Sequence, residues 1–331
     1  MTDNYWKNKR VLVTGADGFM GSHLCEKLIE LGANVSVFVR YVSHPPVEDL
    51  FLRNVGHIQH KFEHIIRGNI GSPEANKLIR QNKPEIIFHL AADAYVPHSF
   101  TNPVEVIESN IMGTLNVLEA ARELDTERVV CTSSSEMYGP CDGPIHEEYP
   151  LYPTSPYAAS KLAGDRLAYA YFNTYNLPIA IIRPFNTYGP RHTYDVIPKF
   201  IKLALENKPL TVYGDGKQTR DLSYVTDMIT AFLIMGSHKK AIGEAVNFGT
   251  GQDIRIQDVA EKIIKYTGST SPIIHVQPRL SEVSKLLVDY SKAKKLFGWE
   301  PNVFIDEGIQ LNIEWAKKNK AAATRTNNVI L

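Results

Sequence analysis

Two groups of side chains carry residue types suited to redox chemistry at an alcohol carbon: Ser134, Ser135 and Glu136 in the run T-S-S-S-E-M-Y-G, and Tyr157 with Lys161 in S-P-Y-A-A-S-K. Tyr157 and Lys161 are four residues apart, so on a helix they share one face, and an ammonium held close lowers the pKa of the phenol. A phenolate at neutral pH takes the proton of a sugar or alcohol hydroxyl while hydride leaves the carbon beneath it. Read alone, Y-x-x-x-K is an ordinary amphipathic pair and Glu136 a solvated loop carboxylate. The context favours chemistry, because the pair follows a Ser-rich strand end and a dinucleotide fingerprint.

These groups need a scaffold, and the chain supplies one as alternating strands and helices. Arg128-Val129-Val130-Cys131 is an apolar strand that delivers the serines and Glu136 to its C-terminal end, and a helix from Tyr157 to Tyr175 presents the Tyr/Lys pair. Lys9 to Gly15 is a β-branched strand, followed by a glycine turn and a helix that stops at Gly32. In that turn Gly15, Gly18 and Gly21 make a G-x-x-G-x-x-G loop. The first two glycines let backbone N–H groups approach a pyrophosphate, and the third lets the helix pack on the strand. Asp17, Phe19 and Met20 fill the loop and belong to the same candidate cofactor site.

Further strands are expected at Asn34–Val39, Ile65–Ile70, Glu85–Ala92 and Ile179–Phe185. Where an NAD-binding strand places a carboxylate for the ribose 2′-OH, Phe38 and Val39 stand, followed by Arg40. An arginine there pairs with a 2′-phosphate, so the cofactor leans towards NADP; the alternative is a solvated strand-end arginine with NAD bound. Asn69 is placed to meet the adenine amino group, beside Ile70. Leu90, Ala91 and Ala92 sit at a strand exit, small enough for a cofactor to approach the backbone. His89 inside that strand reads as a hydrogen-bonded core residue rather than a catalyst. The helix Val104–Leu124 carries Ile107, Ile111, Leu115, Leu118 and Leu124 as an apolar stripe, with Asn110 a buried amide near the active site.

The alternation from residue 10 to 185 predicts an α/β Rossmann-type doubly wound parallel sheet. The expected dinucleotide domain is 1–185 plus about 221–250. The turn-rich remainder, 186–220 and about 251–318, forms a smaller C-terminal lobe, and 319–331 reads as a disordered tail. Lys plus Arg and Asp plus Glu are 36 each, so no global field draws nucleic acid or an anionic membrane. Cys25, Cys131 and Cys141 show no metal-ligand spacing, and no metal is expected. The polar start does not read as a signal peptide, and no apolar run approaches the ~20 residues of a membrane span, so the expected location is cytoplasmic.

Taken in order, the fingerprint, H-L-A-A, T-S-S-S-E-M-Y-G, S-P-Y-A-A-S-K, R-P-F-N-T-Y-G-P-R and G-D-G-K-Q-T-R-D-L resemble the extended short-chain dehydrogenase/reductases that modify nucleotide sugars, over residues 9 to about 315. The resemblance implies a homodimer joined through helices 104–124 and 157–175. It implies a nucleotide sugar between sheet and lobe, its diphosphate met by Asn186, Arg220 and Arg279, with Arg191 as an additional contact. Ser134 matches the hydroxyl that bonds the C4 oxygen, and Glu136 matches the base of the 4,6-dehydratases. Ser135 stands where thymidine-linked glucose dehydratases carry Asp, which weakens that substrate. The resemblance thus implies a nucleotide-sugar 4,6-dehydratase with a recycled nicotinamide cofactor. Uronic acid decarboxylase and 4-epimerase are the alternatives, and a nucleotide-binding regulator is the non-enzyme one.

Overall fold

Seven short, β-branched runs assemble one sheet: β1 (Arg10–Thr14), β2 (Asn34–Val39), β3 (Ile65–Arg67), β4 (Ile86–His89), β5 (Arg128–Thr132), β6 (Ile179–Pro184) and β7 (Ala245–Phe248). The computed structural model of the chain describes residues 4–40, 52–278 and 283–319; Arg279 and the tail from residue 320 lie outside them. The sheet order is β7-β6-β5-β4-β1-β2-β3 and the strands run parallel, the doubly wound fold expected. All of β4 is buried, as a strand covered on both faces must be. Leu12, Ile87, Val129 and Ile181 from the strands share one core with Val117, Leu118 and Ala121 from a flanking helix.

β1 lies between β2 and β4, so chain progression reverses there. At such a switch point the connections leave in opposite directions and open a crevice at the C-terminal strand ends, where α/β sheets take their ligands. Gly15 follows β1 and Leu90 to Ala92 follow β4, so both sequence-predicted loops border that crevice.

The stripe drawn along 104–124 needs correction. The helical run consists of Pro103–Ile107, a wide turn at Glu108–Met112 with i→i+5 bonding, and Gly113–Glu123. The extra residue shifts the helical phase, and Ile107 of the apolar stripe is 44% exposed. Packing accounts for the turn's setting: a Cβ on Gly71 would lie 2.6 Å from the Glu108 carbonyl oxygen, and one on Gly113 would lie 2.9 Å from an Ile70 methyl. Two glycines thus let the segment after β3 press against the wide turn.

The chain divides into two units: Met1–Met137, Pro153–Arg183 and Ile229–Val246 in the first, and Tyr138–Tyr152, Pro184–Met228 and Asn247–Leu331 in the second. In the second, Thr219–Asp221 pairs antiparallel with Asp253–Arg255 and parallel with Lys285–Leu286, while Thr187–Tyr188 pairs with Ser223–Tyr224. Helices Val196–Leu205, Ile256–Thr267 and Ile305–Lys318 pack together around these short pairs.

Candidate active site

The S-P-Y-A-A-S-K sequence builds its own helix start. Ser155 is extended and its Oγ accepts from the Ala158 amide at 3.1 Å, and Pro156 occupies the first helical position, where its missing N–H costs nothing. Pro156–Tyr175 follows, ending at Asn176 in the left-handed conformation. The cap fixes Tyr157 and Lys161 on the first two turns, and both are buried. Lys161 Nζ donates to the Thr132 carbonyl at 2.5 Å, which ties this helix face to the end of β5. Burial lowers the Lys161 pKa to about 8, against the opposing pull of the Asp165 carboxylate.

Immediately after Thr132 come the serines. Ser133 N donates to Ile182 O at 2.8 Å and its Oγ to Met137 Sδ at 3.2 Å, which continues the β5 to β6 pairing and closes a tight turn over Ser135–Tyr138. Ser134 Oγ accepts from the Glu136 amide at 3.2 Å, so the serine orients the backbone that carries the carboxylate. Ser134 and Ser135 are buried and Glu136 is half-buried.

Asn110 lies in the wide turn, where the distorted backbone aims its side chain inward. Its Oδ1 accepts from Asp93 N at 2.7 Å, and its Nδ2 donates to Asp93 O at 3.1 Å and to Ser160 Oγ at 2.9 Å. Ser160 Oγ in turn donates to Tyr157 O at 2.7 Å. This amide therefore braces the turn that holds Tyr157 and the strand exit after β4. His89 is the core residue expected. Its ring nitrogens meet Thr14 Oγ1 at 2.9 Å and Thr114 Oγ1 at 3.1 Å, and burial with the Lys161 charge lowers its pKa to about 3.

The glycine loop is shaped for close backbone approach. Gly15 has φ +70°, and a Cβ there would meet Ala91 N at 2.8 Å; one on Gly21 would sit 2.2 Å from Gly15 O. The cradle that a pyrophosphate needs is thus one that added side-chain carbons would fill. Asp17 stands in the loop, but its carboxylate is spent on the amides of Arg53, Asn54 and Val55, at 2.9, 2.7 and 3.2 Å. Phe19 and Met20 open the helix Phe19–Glu30. Asn69 is exposed, with Oδ1 accepting from Gly71 N at 3.0 Å. Arg40 is 63% exposed and pairs with Glu105 at 3.6 Å.

In the second unit, Asn186 O accepts from Ser223 N at 2.8 Å, which brings R-P-F-N and T-R-D-L together. The Asn186 side-chain oxygen is buried without a hydrogen-bond partner among the described residues. Arg220 Nη1 donates to the carbonyls of Thr219 and Val283 at 2.8 and 2.7 Å. The next residue, Asp221, is buried and accepts from Thr250 N and Oγ1, both at 2.7 Å, and from Gly251 N at 2.8 Å. Arg191 adopts φ +71°.

Sequence reasoning gave no role to Ser160, Asp165 or Arg183. Ser160 was legible as the residue before the lysine. Arg183 carried only a weak signal, a charge ending the apolar run of β6. Its Nε and Nη2 bind Asp165 at 2.9 and 3.0 Å, both residues buried.

The profile of the GDP-mannose 4,6 dehydratase family matches residues 12–311. A UDP-glucose 4-epimerase of Mycolicibacterium smegmatis is 34% identical over 312 residues, 92% of this chain and 98% of its own. A UDP-N-acetyl-alpha-D-glucosaminuronate decarboxylase of Bacillus cytotoxicus is 34% identical over 332 residues, covering 94% of this chain and 98% of its own. Among solved structures, dTDP-glucose 4,6-dehydratase from Bacillus anthracis in complex with NAD superposes with a TM-score of 0.84 at 30% identity, over 95% of this chain and 98% of that one. Three reaction names at similar distance leave the choice among them to local residues.

Proposed function

The chain belongs to the extended short-chain dehydrogenase/reductase family of nucleotide-sugar epimerases and dehydratases, enzymes that depend on a nicotinamide cofactor, and from that premise we propose that it is a 4,6-dehydratase acting on a nucleoside-diphosphate hexose. The observation that carries this reading is Glu136, which stands in the turn directly after β5 with its backbone amide donating to Ser134 Oγ, at the strand end to which Lys161 is anchored. An epimerase needs no second base, because it returns hydride to the same carbon.

The glycine cradle, the exit of β4 and Asn69 would hold the dinucleotide, and when bound it supplies the hydride acceptor and later donor. Tyr157, with Lys161 one turn along the same helix, takes the proton from O4 of the sugar as C4 is oxidised. Ser134 hydrogen-bonds the same oxygen, with Ser135 beside it. The 4-keto group acidifies the C5 proton, which Glu136 removes and passes to the C6 hydroxyl as that group leaves as water. Hydride returned to C6 and a proton to C5 give the 4-keto-6-deoxy sugar. In the second unit, Asn186, Arg191 and Arg220 would meet the diphosphate, and the unpartnered Asn186 oxygen supports a polar ligand there. Arg279 is assigned to the same role by the family resemblance alone.

Incubation with uridine-, guanosine-, cytidine- and thymidine-linked sugars, followed by mass spectrometry, tests the reading. Loss of one water is expected. Loss of carbon dioxide would make it the decarboxylase, and unchanged mass with altered C4 configuration the epimerase.

For the cofactor, Arg40 at the end of β2, with no carboxylate at Val39, supports NADP. Arg40→Ala should weaken NADPH about 10-fold more than NADH in fluorescence titrations, the loss of one charge-assisted contact. Equal loss for both would remove the preference. The enzyme acts in the cytoplasm as a homodimer. Val104, Ile107, Met112, Tyr169 and Tyr175 are 67, 44, 42, 50 and 52% exposed on the two helices, an apolar set a second copy would cover. Light scattering at micromolar concentration should give twice the chain mass.

A further inference from the structure

A cavity of about 10 Å³ is lined by Lys161, Asn110, Ser160, His89, Cys131 and Asp165, with others. One water needs roughly 10–15 Å³ and two or more polar partners, and these walls supply both. Asp165 lies one helical turn beyond Lys161 on the same face. Arg183 grips both of its oxygens, and Arg166 reaches one of them from the surface. Burying such a pair costs several kcal/mol per ion, roughly what the pairing returns, and apolar residues of like size often serve stability as well. Stability alone therefore does not require the pair on the wall it shares with the Lys161 ammonium.

We propose that Asp165, locked by Arg183, is a positioning residue for Lys161: through one water in this cavity it holds the ammonium charged and directed, opposite the Thr132 carbonyl. This rests on the assignment of Tyr157 and Lys161 as the acid–base pair. Lys161 shares the cavity wall with Asp165 from its own helix, His89 from β4 and Cys131 from β5, with Arg183 of β6 behind Asp165 and Tyr157 one turn earlier on the helix. His89 titrates near 3, and burial pushes the Cys131 thiol up to about 12, so neither changes charge near neutrality. Lys161 does, at about 8, where burial lowers it and the Asp165 carboxylate holds it up. Arg183 stays charged throughout.

The test is the pH profile of single-turnover sugar oxidation, read as reduced-nicotinamide absorbance in the holoenzyme. Its basic limb reports loss of the ammonium. Asp165→Asn keeps the volume and removes the charge, so the limb should move down by about one pH unit and the rate at pH 8 fall about 5-fold. Asp165→Glu, which keeps the charge, should restore most of the shift. Should Asp165→Asn fail to fold, the double variant Asp165→Asn, Arg183→Gln, which removes both charges, should move the limb in the same direction by a smaller amount, because the carboxylate is the nearer of the two to Lys161. An unmoved limb in a folded variant overturns the proposal. Lys161→Met in the same assay separates the two levels. Full oxidation by that variant would sink the acid–base assignment itself, whereas its inactivity beside an unmoved Asp165→Asn limb would remove only the role of Asp165.

Discussion

Glu136→Gln should lower formation of the keto-deoxy sugar by about 10³-fold, within the range that removal of a general base produces, while leaving oxidation at C4 in place. Glutamine matches the size of glutamate and accepts a hydrogen bond but cannot take a proton, so the keto stage forms and the C5 proton stays. Reduced nicotinamide should then accumulate towards one equivalent per site instead of cycling back. Rapid-quench mass spectrometry paired with the absorbance trace checks both halves. The fold should be unaffected, because Glu136 is half-buried and the contact that shapes its turn is its backbone amide to Ser134 Oγ. Full retained water loss would remove Glu136 from the mechanism and return the site to epimerisation.

Tyr157→Phe should act one step earlier, with C4 oxidation itself falling by about 10³-fold or more and no reduced cofactor appearing. The phenylalanine ring keeps the packing, and the helix start is set by Ser155 and Pro156, so thermal unfolding should change by less than about 1 kcal/mol. Two variants that both abolish product would thus differ in one readout: Glu136→Gln traps the oxidised sugar, and Tyr157→Phe never makes it. A Tyr157→Phe enzyme that oxidises the sugar at the normal rate would refute the phenol as base.

Much of this site was readable from residue order. Gly15, Gly18 and Gly21 specify a turn in which a carbon more would collide with backbone, and S-P-Y-A-A-S-K spells a cap, a first-turn proline and a reactive face in one heptad. Both are local devices, decided within a few residues, so sequence encodes them directly. His89 was legible as a core residue because its neighbours on the strand are all apolar. The wide turn at Glu108–Met112 was not legible. Its phase shift comes from the fit of Gly71 and Gly113 against neighbours some forty residues apart in sequence, which no helical periodicity contains. Nor did spacing reveal that the Asp17 carboxylate is committed to the amides of residues 53–55, or that Arg220 rests on two carbonyls.

By itself, then, the sequence determined the sheet's alternation, the phosphate-shaped turn and the pairing of a tyrosine with a lysine, since each follows from short-range sterics, hydrogen bonding and strand or helix period. Tertiary structure alone decided where the charges stand. It set Lys161 against the Thr132 carbonyl, closed Asp165 and Arg183 into the core behind it, and brought Asn110 onto Ser160. The reason is physical: a charge's protonation and direction depend on the desolvation and partners that distant strands bring to it, and those exist only once β4, β5 and β6 have closed over the helix.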